Sequence, residues 1–457
     1  MTKEKQAETS KREKESESST TSVDNDYRKF SVKELIEGLG QHELPPDLER
    51  RVRDFKFAQT KRQERYSAKP WGIFGLYAHL SDIRSDLEWA EDAAWRRRHS
   101  EPYLSWQDFE EKRKVGSHNR PWFTYSVLFV CSIMLIVTIG VNGWSFEPLK
   151  VNPLIGPSAQ TLVECGARST NLIVNENQWY RLFTPMVLHA GLVHFTINMG
   201  AMYYIGGAVE QSHGHTKVAI LFLVPAIGGN ILSALYLPQY ISVGASGGIF
   251  GLIGGCAADI SLNWNLLFLK STTSDKDRSR HLWVIFWLLF DVVINCLLGF
   301  TPFVDNFTHL GGFLYGLACG LSTMNKLDNF FGKSPGVLVR FLGLVVSVIA
   351  IMVTTGLLVD SDGLTSSCHN CRYISCVPFP PGTDDKWWYC DDCDTVQADL
   401  YISASGSGLY TEIDLTCPDG SLVGVDISGD ELYDRGLVRQ ALPKYCRQNC
   451  DSVFLNS

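Results

Sequence analysis

Three separated stretches carry hydroxyl, imidazole and amide groups in otherwise uncharged sequence. His189, His194 and Asn198 fall in HAGLVHFTIN, Ser246 falls in VGASGGIFG, and His309 falls in THLGGFLYG. A serine hydroxyl attacks an amide carbonyl only if a base takes its proton, and a neutral imidazole suits that task near neutral pH. The attack creates an oxyanion that needs hydrogen-bond donors. Residues four apart share a helix face, so His194, Asn198 and the Ser246 backbone N–H are candidate donors, with Ser246 and His309 as candidate nucleophile and base. Competing readings are plainer. A serine in a membrane helix commonly bonds the carbonyl four residues earlier. The G-x-S-x-G elbow of α/β-hydrolases needs a strand-to-helix turn, whereas Gly244-Ala245-Ser246-Gly247-Gly248 opens an apolar helix, so that fold is set aside. The three histidines could be imagined as metal ligands, yet hydrolysis by a serine needs no metal, and neither a metal nor a cofactor is expected.

The elements that must position these groups follow from charge and hydropathy. The chain has 457 residues, 45% of them hydrophobic, with a formal net charge of −8. Charge is concentrated at the two ends; residues 121–359 contain long runs with none at all. A hydrocarbon core of about 30 Å needs roughly 20 apolar residues in a helix. Seven helical spans are expected, near 123–142, 186–207, 218–237, 244–262, 282–299, 306–324 and 338–359, making an all-α polytopic membrane protein. Lys112, Arg113, Lys114 and Arg120 precede the first span, and Lys270, Lys276, Arg278, Arg280, Lys326 and Lys333 fall in alternate loops. That asymmetry puts the N-terminus in the cytoplasm and the tail after 360 outside. Polar groups inside spans are expensive and are functional candidates by default; here they gather near the outer ends. Asp291 is a further such residue, expected to pair with Asn295 or with another span, and an orienting role toward His309 is a remoter thought. Gly248, Gly251, Gly312 and Gly316 would let the Ser246 and His309 helices approach closely.

The domain plan is therefore a cytoplasmic region 1–120, a six-span core 121–325, a seventh helix 338–359 and an outer domain 360–457. The first 26 or so residues read as disordered, and 28–66 and 80–115 as short charged helices. No apolar segment precedes residue 121, so a cleavable secretory signal is not expected. No segment is strongly basic, which argues against a nucleic-acid partner. Eight cysteines (368, 371, 376, 390, 393, 417, 446 and 450) fall in the acidic tail. Cys368/Cys371 and Cys390/Cys393 have zinc-ribbon spacing, but an outward tail with an even number of cysteines favours disulfides, whose pairing stays open. Cysteines 131, 165, 256, 296 and 319 are expected as fillers. Asn306-Phe307-Thr308 is a formal glycosylation sequon, expected to lie too close to the bilayer to be used.

With these blocks in order, WYRLFTPMVLHAGLVHFTINM, GGAVEQ, VGASGGIFG and HLGGFLYG, the sequence resembles the rhomboid intramembrane serine proteases over roughly 175–325. The resemblance implies Ser246 as nucleophile, His309 as general base, and His194 and Asn198 as oxyanion stabilisers. His189, Gly244, Gly247, Gly248, Gly312 and Gly316 would support them. Trp179 and Arg181 resemble the family's tryptophan–arginine element in the first outer loop, a structural feature, as is Glu210. The added seventh span resembles secretory-pathway and cell-surface members. Expected partners are single-span membrane proteins, cut near the outer side of the bilayer. The alternatives are a non-catalytic chaperone or trafficking factor that grips client helices, and a transporter using Asp291 and the histidines.

Overall fold

The computed structural model describes residues 120–149, 152–268, 275–301, 304–324, 336–364 and most of 366–453, with scattered positions between 73 and 109. The helices expected at 28–66, and nearly all of 80–115 and the loop 325–335, lie outside the described residues. Among the described residues seven long helices follow one another: α1 (Trp122–Val141), α2, α3 (His215–Tyr236), α4 (Ser246–Leu262), α5 (Asp275–Leu298), α6 (Asn306–Thr323) and α7 (Gly336–Val359). The second, α2, joins Leu192–Ala201, a π turn Met202–Gly206 and Gly207–His213. Four stretches, Trp122–Val141, His215–Tyr236, Arg278–Leu298 and Leu338–Val359, are long and apolar enough to cross a membrane, and Ser246–Leu262 is a shorter apolar helix. The described residues form two compact units, one that includes 258–286 and 321–342 and another of 121–257, 287–320 and 343–457. Everything below concerns the second.

The start of α2 departs from the expected 186–207. Two 3-10 turns, Trp179–Leu182 and Thr184–Val187, precede it, and His189 lies in extended chain before the helix. The cause is a backbone crossing. Leu192 and Val193 donate to the carbonyls of Ile155 and Leu154, and a Cβ on Gly191 would meet the Leu154 carbonyl at 2.2 Å. The loop 152–156 therefore holds 190–193 as an edge and delays the helix. Glu210, at the far end of α2, caps α1: its carboxylate accepts from Phe123 N, Thr124 N and Thr124 Oγ1, each at 2.8 Å. Those donors have no acceptor within their own helix.

Helices α3, α4 and α6 meet through glycine. A Cβ at Gly312 would lie 2.3 Å from the Gly247 carbonyl oxygen, and one at Gly316 2.2 Å from that of Gly251. On α3, Gly229 backs onto the Thr308 carbonyl and Gly228 onto the Tyr315 ring. Gly248, expected to face α6, instead faces Phe222 of α3, because it lies one position round the helix from Gly247. Between apolar helices in lipid, such close approach is the main source of association.

After α7 the tail folds into strands β1 (Gln397–Ile402), β2 (Tyr410–Thr416) and β3 (Leu422–Asp426), an antiparallel sheet in that order. Alternation places Ile413, Leu415 and Val425 inward against Val438, Leu442 and Tyr445 of α8 (Arg435–Asn449). All eight tail cysteines are paired, 368–371, 376–390, 393–446 and 417–450. The zinc alternative is thereby removed, since those sulfurs are committed. Of the remaining five, Cys131, Cys256 and Cys319 are buried fillers as expected, while Cys165 is half-buried and Cys296 exposed. The tail's first segment sits on the core. Cys371 packs with Leu237 and Phe307, and Val377 N donates to the Phe300 carbonyl at 2.7 Å. Asn306 is buried, its Nδ2 donating to Ile374 O at 2.7 Å and Cys296 O at 3.2 Å, so the sequon is enclosed by protein.

Candidate active site

Ser246 is the first residue of α4 and is half-buried. Ile249 N donates to the Ala245 carbonyl at 3.0 Å, so the N–H groups of the preceding turn point toward the chain entering the helix. Gly244, just before, has φ +132° and donates its N–H to Pro185 O at 2.8 Å. A side chain there would be strained, and its Cβ would also strike the His194 ring, 2.9 Å from Cε1 and 3.0 Å from Nε2, with Ser246 Oγ at 3.4 Å. The His194 imidazole and the Ser246 hydroxyl thus flank one small space that only glycine leaves open.

The tautomer of His194 follows from its neighbour. Ala190 N–H donates to Nδ1 at 3.3 Å, so a neutral ring carries its hydrogen on Nε2, the atom beside Gly244. One turn on, Asn198 is buried and donates from Nδ2 to the His194 carbonyl at 3.0 Å; an amide has a second N–H to give. His189 is fully buried, its ring edge-on to His194 at 5.3 Å. Its ring also packs edge-on against Phe195, with centroids 5.3 Å apart.

His309 is buried in the first turn of α6. Its ring stacks on Phe250 with centroids 4.2 Å apart and 12° between planes. Phe250 is four residues after Ser246, hence on the same face of α4. With Gly312 against Gly247, the serine end of α4 and the histidine end of α6 share one contact. Among the described residues, no group hydrogen-bonds His309 Nδ1. Asp291 stands apart: it is exposed on α5 and accepts from Asn295 Nδ2 at 3.2 Å. The idea that it orients His309 finds no contact to rest on.

The carboxylate near His309 is a different one, absent from the sequence reading. Asp305 caps α6, accepting from Phe307 N at 3.1 Å, Thr308 N at 3.0 Å and Thr308 Oγ1 at 2.8 Å. Its signal was legible, an Asp just before an apolar helix with threonine three residues on. Arg168 was missed too. It is the largest fully buried side chain and lies 3.7 Å from Asp305. Arg181 is also buried, with Nε on Gln178 Oε1 at 2.7 Å and Nη1 on the carbonyls of Val163 at 2.7 Å and Ala167 at 2.9 Å. Trp179 packs beside Ile173 and Leu182. Both brace the loop before α2 and touch none of the candidate reacting groups.

A family model described as "Rhomboid domain" matches residues 176–326, which hold every group above from Trp179 to Gly316. RHOMBOID-like protein 2 of Arabidopsis thaliana is 36% identical over 248 residues, covering 51% of this chain and 75% of the relative. Inactive RHOMBOID-like protein 8 of the same plant is 28% identical over 319 residues, 62% of this chain and 86% of the relative. Rhomboid protease GluP of Bacillus subtilis (strain 168) is 31% identical over 230 residues, 49% of this chain and 40% of the relative.

Proposed function

From the premise that this chain belongs to the rhomboid family, we propose that it is an intramembrane serine protease that cuts single-span membrane proteins near the outer face of the bilayer. Ser246 Oγ attacks the scissile carbonyl while His309 takes the hydroxyl proton. The oxyanion is held by the His194 Nε2–H, the second Asn198 amide N–H and the Ser246 backbone N–H; each such donor is worth about 10²–10³ in kcat. His309 then gives its proton to the departing amine, leaving an acyl ester on Ser246. A water, deprotonated by the same imidazole, repeats the attack and frees the second product. A substrate helix hides its carbonyls in hydrogen bonds, so the segment to be cut must unwind, which favours small or helix-weakening residues.

The observation that carries this reading is the Phe250 ring, one turn from Ser246 and stacked on His309 at 4.2 Å. Carboxylate-free assignment of the base agrees with the absence, among the described residues, of a partner on His309 Nδ1. The cytoplasmic N-terminus and the outer tail, in the secretory pathway or plasma membrane, are part of the proposal and are supported by four disulfides after α7.

The relative named as inactive favours one rival, a non-catalytic factor that grips client helices in the same cleft. Reconstitution in vesicles with a panel of single-span substrates separates the two. Cleavage by wild type and a loss of at least about 10³-fold in S246A and H309A are expected; equal product from all three, or none from any, sinks the protease.

A further inference from the structure

Arg168 is wholly enclosed, in a fold that has little reason to pay for a buried guanidinium. It is not isolated. Nη1 donates to Thr170 Oγ1 and to the Leu237 carbonyl, both at 3.0 Å, and Nη2 donates to Ser233 Oγ at 2.9 Å. Nη2 also lies 3.7 Å from Asp305 Oδ2, the same oxygen that receives the Ser233 hydroxyl. The Arg168 backbone pairs with Ser242, N to O at 3.0 Å one way and 3.3 Å the other. Ser242 is four residues before Ser246, and Asp305 is four residues before His309, whose N–H donates to the Asp305 carbonyl at 3.1 Å.

We propose that Arg168 and Asp305 are positioning residues that together set the register between the Ser246 helix and the His309 helix. One residue grips the chain entering α4 with its backbone and the cap of α6 with its side chain. In a Ser-His-Asp triad the carboxylate holds the imidazole through Nδ1–H. Here His309 Nδ1 has no hydrogen-bond partner among the described residues, so the ring is aimed by the Phe250 stack and by where α6 begins. Asp305 decides where α6 begins, since it accepts both N–H groups of the first turn. A buried ion pair contributes little net stability beside an apolar substitute, while removal of one partner leaves an uncompensated charge. Its use is a fixed geometry. Small displacements of reacting groups cost large factors in rate.

The inference rests on the Ser246–His309 reading, and the test separates the two. The reporter is the rate at which a small fluorophosphonate labels Ser246, which needs the base but no substrate helix, followed beside kcat and KM for a single-span substrate. Rates are taken per folded molecule, from the monodisperse detergent peak. Asp305→Asn and Arg168→Gln are expected to slow labelling and kcat together by about 10–100-fold with KM within about threefold. The double variant, whose neutral pair leaves no bare charge, is expected to recover several-fold over either single one. Should a single variant fail to fold, Ser233→Ala, which removes one hydroxyl from Asp305, is expected to slow labelling about 3–10-fold. Unchanged labelling, a change confined to KM, or simple additivity in the double variant overturns the strut and leaves the dyad standing. A wild type that does not label at Ser246 and cleaves no better than S246A overturns the dyad, and the strut with it.

Discussion

Where α3 and α4 meet α6, backbone touches backbone: a methyl on Gly316 would come within 2.2 Å of the Gly251 carbonyl and one on Gly312 within 2.3 Å of that of Gly247, while one on Gly229 of α3 would come within 2.5 Å of that of Thr308. In the tail the sheet and α8 are instead tied by Cys393–Cys446 and Cys417–Cys450 around a few inward residues such as Ile413, Leu415 and Val438. The two regions answer different solvents. Lipid offers no hydrophobic drive between apolar helices, so they must gain dispersion contact by close approach. The tail gathers a modest set of inward residues between one sheet and one helix, and covalent links restrict its unfolded chain. One region is intolerant of added volume, the other of lost bonds.

Gly316→Val attacks the first kind of contact and should have the largest effect, the loss of most folded protein and of all hydrolysis, as read by thermal unfolding in detergent. Gly356→Ala is the matched control, because nothing lies within 4 Å of its Cβ; it should be neutral or slightly stabilising. Equal outcomes at the two sites would break the comparison. The second kind of contact is tested by replacing Cys393 and Cys446 together with serine, which opens a link across 53 residues. A loss of about 2–4 kcal/mol is expected in the tail, seen as faster hydrogen exchange in β1–β3 while α3, α4 and α6 stay protected. Deprotection of those helices as well would show that the regions are not separable.

The smallest effect sharpens the picture of the tail as a water-facing domain. Tyr401 donates its phenol hydrogen to Asp414 Oδ2 at 2.9 Å, and that bond, with the Asp414, Asp399 and Glu412 charges, raises its pKa above the usual tyrosine value. A raised folded pKa means that the bond's contribution is present below the ordinary tyrosine pKa and fades as pH climbs through the higher folded value. The difference titration between wild type and Tyr401→Phe should therefore lie above that of free tyrosine, and Asp414→Asn should bring it down. No downward movement in Asp414→Asn would discard the assignment.

The candidate reacting residues stood out because polar groups in uncharged sequence are conspicuous on grounds of cost, and the helices were legible because their lengths match a bilayer. The start of α2 was not, since it depends on a loop some forty residues earlier pressing on Gly191. Arg168 and Asp305 escaped for a related reason. Each sits in a loop where a charge ordinarily meets water, and although the helix cap at Asp305 was legible, only the fold turns the pair inward. Cysteine pairing was likewise closed to inspection, because eight cysteines leave many pairings open and only the fold brings Cys390 to Cys376 and Cys393 to Cys446.

The enclosure of Asn306 carries a consequence for how the molecule is made. Its amide nitrogen already serves Ile374 and Cys296, and a sugar attached there would hold the tail away from Phe307. Ile374 lies downstream of α7, so it can arrive only after that helix has been threaded. On the proposed orientation, a nascent chain passes through an interval in which the acceptor is bare, guarded only by its nearness to the bilayer. Carbohydrate at this asparagine would therefore act as a timestamp, marking chains whose final segment docked too late.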